Sequence, residues 1–295
     1  MLSILILTRN RKNEIIRALQ SCVDCTLPPE TEFVIVDNAS DDGTKEAVYS
    51  FFQVNTFEYQ YFFLSENTGA IAGRNVGFKE VKGRYVYFMD DDTYIDGPKQ
   101  IFFEKIINCL KASDNIFGIM PSIYNTGIMG NRSLPTAKVN SLGHCKKLMW
   151  FDSGSVLVDR HRAFDQEKLF LTYVFKGMPE LYPSLKSYFI GKYVVEMDDV
   201  LVIHEPSSHT RPNKRDEAIY HYTGGLHTKL IFYPKITYPV LYFMFSLRII
   251  KHLGFSGLPE AFEKISRLNE YLEKETVSLR KLINLVREFG FVATF

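Results

Sequence analysis

The stretch GRYVYFMDDDTYIDG, Gly83 to Gly97, decides how the chain is read. Hydrophobic and aromatic residues from Tyr85 to Met89 run straight into Asp90, Asp91 and Asp92. Adjacent carboxylates repel one another, and desolvating them at a buried strand end costs on the order of several kcal/mol each unless a cation compensates. A divalent metal is the expected compensation. The question becomes which metal chemistry the chain performs.

Outward from this run the chain alternates. LSILILT (2–8), EFVIVD (32–37), YQYFFLS (59–65) and RYVYFMD (84–90) are short β-branched or aromatic runs with polar ends. NEIIRALQSCV places apolar residues at 15, 16, 19, 22 and 23, which is helical spacing. SDDGTKEAVYSFF opens on Ser40, Asp41 and Asp42, good N-cap residues, and AIAGRNVGFKEV fills the third gap. Strand–helix alternation predicts an α/β layer on a mostly parallel sheet, with ligands at the carboxyl ends of its strands. Thr8-Arg9-Asn10, Asp37-Asn38 and Asp90–Asp92 then open on one crevice.

Composition narrows the classes. With 295 residues the chain is long enough for one large or two smaller domains. Lys+Arg 35 against Asp+Glu 34 argues against a nucleic-acid groove. Hydrophobic content of 46%, with 24 Phe and 17 Tyr, supplies an ample core. The four cysteines are too few and scattered for a disulfide framework, and Cys22-x-x-Cys25 has no second pair at metal spacing. The chain opens on a strand-like run without a basic flank or small-residue cleavage site, so the cytoplasm is the expected compartment.

Four segments, ILTRNR, IVDNASDDGT, NTGAIAGRNVG and FMDDDTYI, occur in an order and spacing that resemble the family 2 glycosyltransferases, especially their soluble, rhamnosyltransferase-like members. The resemblance covers residues 1 to about 95 strongly and continues more weakly to about 205. It implies a GT-A fold, a Rossmann-like nucleotide-diphospho-sugar transferase architecture, over 1–215. Residues 1–95 would form the nucleotide half and 96–215 the acceptor and base half, with a helical C-terminal appendage over 216–295. It further implies that Thr8 and Arg9 meet a nucleoside diphosphate and that Asp37 accepts from a uracil N3–H. Asn67, Gly69, Arg74 and Asn75 would lie beneath the nucleotide, with Arg74 pairing either a phosphate or a carboxylate of the cluster. Gly69, Gly73 and Gly77 fall four apart, which serves close helix packing as readily as phosphate approach.

By the same resemblance Asp90 and Asp91 contact the donor, Asp90 on its ribose or base side, and Asp92 ligates Mg²⁺ or Mn²⁺. The second half departs from the family pattern, which carries a Glu-Asp pair at a helix start, then an Arg, a Gly and a His. Setting Lys186 on that Arg puts Gly191 on the Gly, Glu180 on the catalytic base and His204 on the His, which would complete the metal shell. Pro179 replaces the preceding acid, and Glu205 is the reserve base. Asp152 and Gly154 are expected at the acceptor or donor sugar, and Arg211, Lys214 and Arg215 on a lid that reaches the diphosphate.

The activity implied is a metal-dependent, inverting transfer from a UDP-sugar, with dTDP offering the same N3–H, to a hydroxyl of a saccharide, lipid-linked or protein acceptor. Two alternatives compete with it. Asp90–Thr93 also matches the D-x-D-x-T opening of haloacid-dehalogenase-like phosphatases, with Asp198-Asp199 imitating their later acidic pair. The missing Glu-Asp pair also admits a glycosyltransferase-like binding protein without activity. A nucleotidyltransferase would want glycine in TRNRKN, which has none. From residue 216 the chain reads as helices, ending in an amphipathic tail over 259–289. The apolar run within 236–253 is too short to span a membrane, and its expected uses are packing against its own domain, peripheral contact with the inner face of the cell membrane, or a homodimer.

Overall fold

The protein is described by a computed structural model over residues 1–131, 134–137, 145–174, 177–206 and 213–295. Its first half alternates strictly: β1 (Leu2–Thr8), α1 (Lys12–Val23), β2 (Glu32–Asp37), α2 (Thr44–Val54), β3 (Glu58–Phe63), α3 (Ala70–Glu80) and β4 (Tyr85–Asp90). The second half holds β5 (Thr93–Gly97), α4 (Phe102–Lys111), β6 (Ile116–Asn125), β7 (Gly130–Asn131), β8 (Cys145–Leu148), β9 (Ser155–Asp159), α5 (Leu181–Phe189) and β10 (Tyr193–His204). Helices α6 (Lys214–Phe232), α7 (Tyr238–Leu253), α8 (Leu258–Asn269), α9 (Leu279–Phe289) and α10 (Phe291–Thr294) close the chain.

The strands build one sheet in the order β3-β2-β1-β4-β9-β6-β10-β5, with β7 beside β6 and β8 beside β10. β3, β2, β1 and β4 are parallel, so Thr8, Asp37 and Asp90 end on the same edge, as the alternation predicts. β6 and β10 are parallel too, but β9 runs antiparallel between β4 and β6, and β5 runs antiparallel on β10. The reason at β5 is chain length. Only Asp91 and Asp92 link β4 to β5, too few residues for a crossover, so the chain reverses there.

Burial follows the periodicities. β1, β2 and β4 are buried on both faces, the mark of a central parallel strand. Helix α1 turns Ile15, Ala18, Leu19 and Cys22 inward at helical spacing. Its C-x-x-C is core packing: the Cys22 Sγ lies 3.4 Å from Met89 Sδ, Cys25 is also buried, and both thiols are free. Burial pushes the Cys25 thiol up to about 12, far from a reactive thiolate. Of the expected cap residues Ser40, Asp41 and Asp42, it is Asp42 that meets the start of α2. The helix starts at Thr44 after Gly43, and Asp42 Oδ1 accepts from the Thr44 N–H at 3.0 Å. In α3 a Cβ on Gly73 would lie 2.5 Å from Leu7 Cδ1, and one on Gly77 2.2 Å from Leu5 Cδ1. Those two glycines serve helix-on-sheet packing.

The C-terminal helices share a core with α5: its Leu181, Leu185 and Phe189 pack with Leu226, Leu230, Phe245, Ile265 and Leu285. The amphipathic tail over 259–289 holds two helices, α8 and α9, separated between Asn269 and Leu279. No described helix is long and apolar enough to cross a membrane. Helix α7 buries Leu241, Phe245 and Ile249 and exposes Val240, Phe243 and Leu247, with Phe243 at 62%. Loop and helix meet at a glycine pair. A Cβ on Gly224 would lie 2.1 Å from the Gly177 carbonyl oxygen, and Gly177 has φ +93°. Gly224→Ala is therefore expected to cost about 2 kcal/mol or more, read as a lowered midpoint in urea unfolding, because backbone must move.

Candidate active site

The reversal at Asp91-Asp92 places three carboxylates beside the ends of β1 and α3. Thr8 Oγ1 donates to Asp91 Oδ2 at 2.9 Å. Arg11 Nη1 donates to Asp91 Oδ1 at 2.7 Å and to Asp92 Oδ2 at 2.8 Å. Arg74, on α3, pairs through Nη2 with Asp90 Oδ1. The compensating cations seen here are thus two guanidiniums. Burial nevertheless pushes Asp91 up to about 7, with Arg11 opposing and Asp92 adding to the rise. A cavity of about 320 Å³ opens over this cluster, lined by Thr8, Arg9, Asn38, Asn67, Arg74 and the three aspartates among others. Arg9 is exposed at its edge.

On the opposite side of the cluster stands His204, at the end of β10. Its Nε2 lies 3.3 Å from Asp92 Oδ1. Gly127 N–H donates to Asn125 Oδ1 at 2.9 Å, which turns the Asn125 Nδ2 toward His204 Nδ1 at 3.0 Å. Nδ1 then accepts, and Nε2 carries the proton that faces Asp92. Coordination through Nε2 requires the other tautomer and a turned Asn125 amide. Among the described residues, no group of three or more His, Cys, Asp or Glu side chains is arranged to hold a metal ion by itself. Asp92 with His204 supplies one carboxylate and one imidazole, a donor set that suits Mg²⁺ or Mn²⁺ only if substrate oxygens complete the shell.

The base candidate lies across Arg74. Glu180 directly precedes α5, and its Oε1 accepts from Ser153 Oγ at 2.5 Å and from the Ser153 N–H at 3.3 Å. Burial and the neighbouring Asp152 charge push its carboxyl upward, while Ser153 and Arg74 restrain the rise. Gly154 belongs to the same group: its N–H donates to Asp152 Oδ1 at 2.9 Å, and a Cβ there would lie 2.7 Å from Asp90 Oδ2. Glu180, Asp152, Gly154, Arg74 and Asp90 are therefore brought together. Glu205 is not among them. Its N–H is held by the Asp92 carbonyl at 2.9 Å, but its exposed carboxylate pairs with Arg17 of α1.

Other residues sit differently from their expected roles. Asp37 is 0% exposed, with Oδ1 bonded by the Ser40 N–H at 2.7 Å and Oδ2 by the Tyr61 hydroxyl. A base reaches that carboxylate only if Tyr61 withdraws. Asn67 Oδ1 accepts from Asn38 Nδ2 at 2.9 Å and from the Gly69 N–H at 3.0 Å, which shapes the turn into α3. Asn75 holds the chain at Leu169-Phe170, accepting from both N–H groups and donating to the Phe170 carbonyl at 2.8 Å. Lys186 faces Glu275 at 2.8 Å, and Gly191, with φ +84°, follows the end of α5. Lys214 and Arg215 begin α6, where Arg215 pairs with Glu260 at 2.8 Å; Arg211 lies outside the described residues. Asp198 and Asp199 pair with Lys146 and Lys105 at the surface.

Sequence reasoning passed over Arg11, Ser153 and Asn125. Arg11 stands two residues from Arg9 in the same loop, and Ser153 lies between two residues already singled out. Only Asn125 had no signal.

The family model described as glycosyl transferase family 2 matches residues 3–164, more than half of the chain. The chain belongs to that family. It is 36% identical over 64 residues to the Bacillus subtilis protein named "Putative teichuronic acid biosynthesis glycosyltransferase TuaG", covering 22% of this chain and 25% of that one. It is 34% identical over 68 residues to the poly-beta-1,6-N-acetyl-D-glucosamine synthase of Staphylococcus epidermidis, covering 23% and 16%. These matches span a quarter or less of either relative's length.

Solved structures extend the fold likeness over nearly the whole chain. GalNAc-T7 with UDP, GalNAc and Mn²⁺ superposes with a TM-score of 0.65 at 12% identity, covering 93% of this chain and 55% of that one. The mannosyltransferase PcManGT of Pyrobaculum calidifontis, with GDP-Man and Mn²⁺, gives 0.59 at 16% identity, covering 97% and 78%. S. aureus TarS 1-349 with UDP gives 0.59 at 17%, again covering 97% and 78%. The fold is GT-A, and the phosphatase reading of Asp90–Thr93 falls with it. In this fold the aspartates end the fourth strand, and Asp198-Asp199 is a surface pair.

Proposed function

We propose that the protein is a metal-dependent, inverting glycosyltransferase that moves a sugar from a nucleoside-diphosphate donor to an acceptor hydroxyl. The observation that carries this reading is the facing of Glu180 and the Asp90–Asp92 cluster across Arg74 and Gly154. The diphosphate would lie in the cavity over Thr8, Arg9 and Arg11, where backbone ends and guanidiniums favour anions. Asp92 and His204 would hold Mg²⁺ or Mn²⁺, which when bound neutralises charge on the leaving diphosphate. UDP is the favoured nucleotide and dTDP the alternative, through Asp37 once Tyr61 moves.

Glu180 would take the proton of the acceptor hydroxyl as that oxygen attacks the anomeric carbon. Asp152 and Gly154 would border the sugar, and Arg74 would keep Asp90 turned away from the attacking oxygen. A hydroxyl of a saccharide, lipid-linked or protein acceptor meets this chemistry. The exposed Val240, Phe243 and Leu247 of α7 support contact with a membrane surface or a second copy. The test is nucleoside-diphosphate release from a panel of UDP-, dTDP- and GDP-sugars with Mn²⁺, alone and with candidate acceptors. Release from one nucleotide class supports the reading. Silence across the panel, with nucleotide still bound, favours a binding protein without activity.

The pH profile follows from Glu180. A base must be ionised, and its carboxyl is raised, so kcat/KM is expected to fall on acidification at a pH above the ordinary glutamate range. Ser153 stabilises the carboxylate, so Ser153→Ala is expected to move that acid limb further upward without changing nucleotide affinity. A pH–rate series on both proteins measures the shift.

A further inference from the structure

A second cavity, of about 560 Å³, lies among α6, α7 and the segment 289–295, and its wall is apolar and aromatic, including Trp150, Leu241, Phe245 and Phe291. Two cations interrupt that wall, Lys229 and Arg248, and no aspartate or glutamate lines it. Arg248 is anchored: its Nη1 donates to the Phe295 main-chain oxygen at 2.6 Å and its Nη2 to the Val292 carbonyl at 2.9 Å. Lys229 is only 7% exposed. Among the described residues its ammonium has no hydrogen-bond acceptor and no carboxylate partner. The residues outside the description, 132–133, 138–144, 175–176 and 207–212, contain no Asp or Glu, so none of them supplies one.

An ammonium left without a counter-charge in an apolar wall is less stable than in water. Burial pushes Lys229 down to about 7, and the Arg248 charge adds to the fall. A bound anion relieves both effects, and the surrounding rings offer it an apolar body to ride on. The volume is that of an ordinary small-molecule site. We propose that this cavity binds an amphiphile with one anionic head, an alkyl phosphate or alkyl carboxylate, with the head at Lys229 and the chain against Trp150, Leu241, Phe245 and Phe291. The site does not depend on the transferase reading, although Trp150 and Met178 in its wall stand two residues from Asp152 and Glu180.

The single tryptophan of the chain lines the cavity and reports on it. The full chain is titrated with dodecyl phosphate, dodecanoate, dodecanol and inorganic phosphate, below micelle-forming concentrations, while Trp150 fluorescence is read. At least one of the two charged amphiphiles is expected to bind tenfold or more tightly than dodecanol, with inorganic phosphate alone producing no change. Lys229→Met is expected to erase that preference while leaving dodecanol binding unchanged. The substitution removes a buried charge, so the fold is expected to persist, and the head-group comparison on the wild type stands without it. Equal affinity for dodecanol and both charged amphiphiles, a preference that survives Lys229→Met, or no binding of any amphiphile would each overturn the proposal.

Discussion

A Glu180→Gln variant is expected to transfer sugar about 10³-fold more slowly than the wild type while binding nucleotide equally well. Glutamine keeps the shape and the Ser153 hydrogen bond, since its amide oxygen still accepts from the Ser153 hydroxyl, but it cannot take a proton. The loss should therefore appear in kcat, with KM for the donor nearly unchanged. Glu205→Gln on the same background is the natural control. That carboxylate is exposed and paired with Arg17, so its removal is expected to leave turnover within a few-fold. If the two results exchange places, Glu205 is the base and the placement of Glu180 beside Asp152 and Ser153 has another purpose.

The second large effect is expected at Asp92. Asp92→Ala removes the carboxylate that touches both Arg11 and His204, so the protein would lose the proposed metal ligand and one of two anchors for Arg11. Nucleoside-diphosphate affinity in Mn²⁺ is expected to fall at least tenfold, to the value seen in chelator, while affinity without metal stays the same or rises as a negative charge leaves the cavity. Calorimetric titration of wild type and variant in both conditions separates these terms. Undiminished metal dependence in Asp92→Ala would move the metal site elsewhere in the cluster.

The strands that end on the crevice are legible in the sequence because β1, β2 and β4 bury both faces, and an unbroken apolar run bounded by polar residues has few other uses. The aspartate turn is legible for the same reason: three adjacent acids at such an end need cations. Which cation is not written locally. Arg11 reaches Asp91 and Asp92 across 80 and 81 residues of chain, through a pairing of β1 with β4 that only the assembled sheet provides. The Tyr61 hydroxyl on Asp37 is a similar case, set by the register of β2 against β3, which puts Tyr61 beside Ile35 and leaves its ring reaching for the strand end. Ser153 and Glu180 come from loops, where no periodicity fixes geometry.

The antiparallel strands of the second half were the least readable. β9 carries Ser155–Asp159, as apolar as β1, and nothing in such a run states its direction. Its place between β4 and β6 follows from long-range pairing alone. That antiparallel insertion delivers Asp152, Ser153 and Gly154 to Asp90 and Glu180, the groups of the proposed transfer.

The crevice over Asp90–Asp92 is proposed to receive a nucleoside diphosphate with a divalent metal. Calorimetric titration of the wild-type chain with UDP, dTDP and GDP, each with Mn²⁺ and with chelator, tests it most directly. A pyrimidine diphosphate is expected to bind, at least tenfold more tightly with Mn²⁺ than without. Absence of binding by all three nucleotides in both conditions would contradict it.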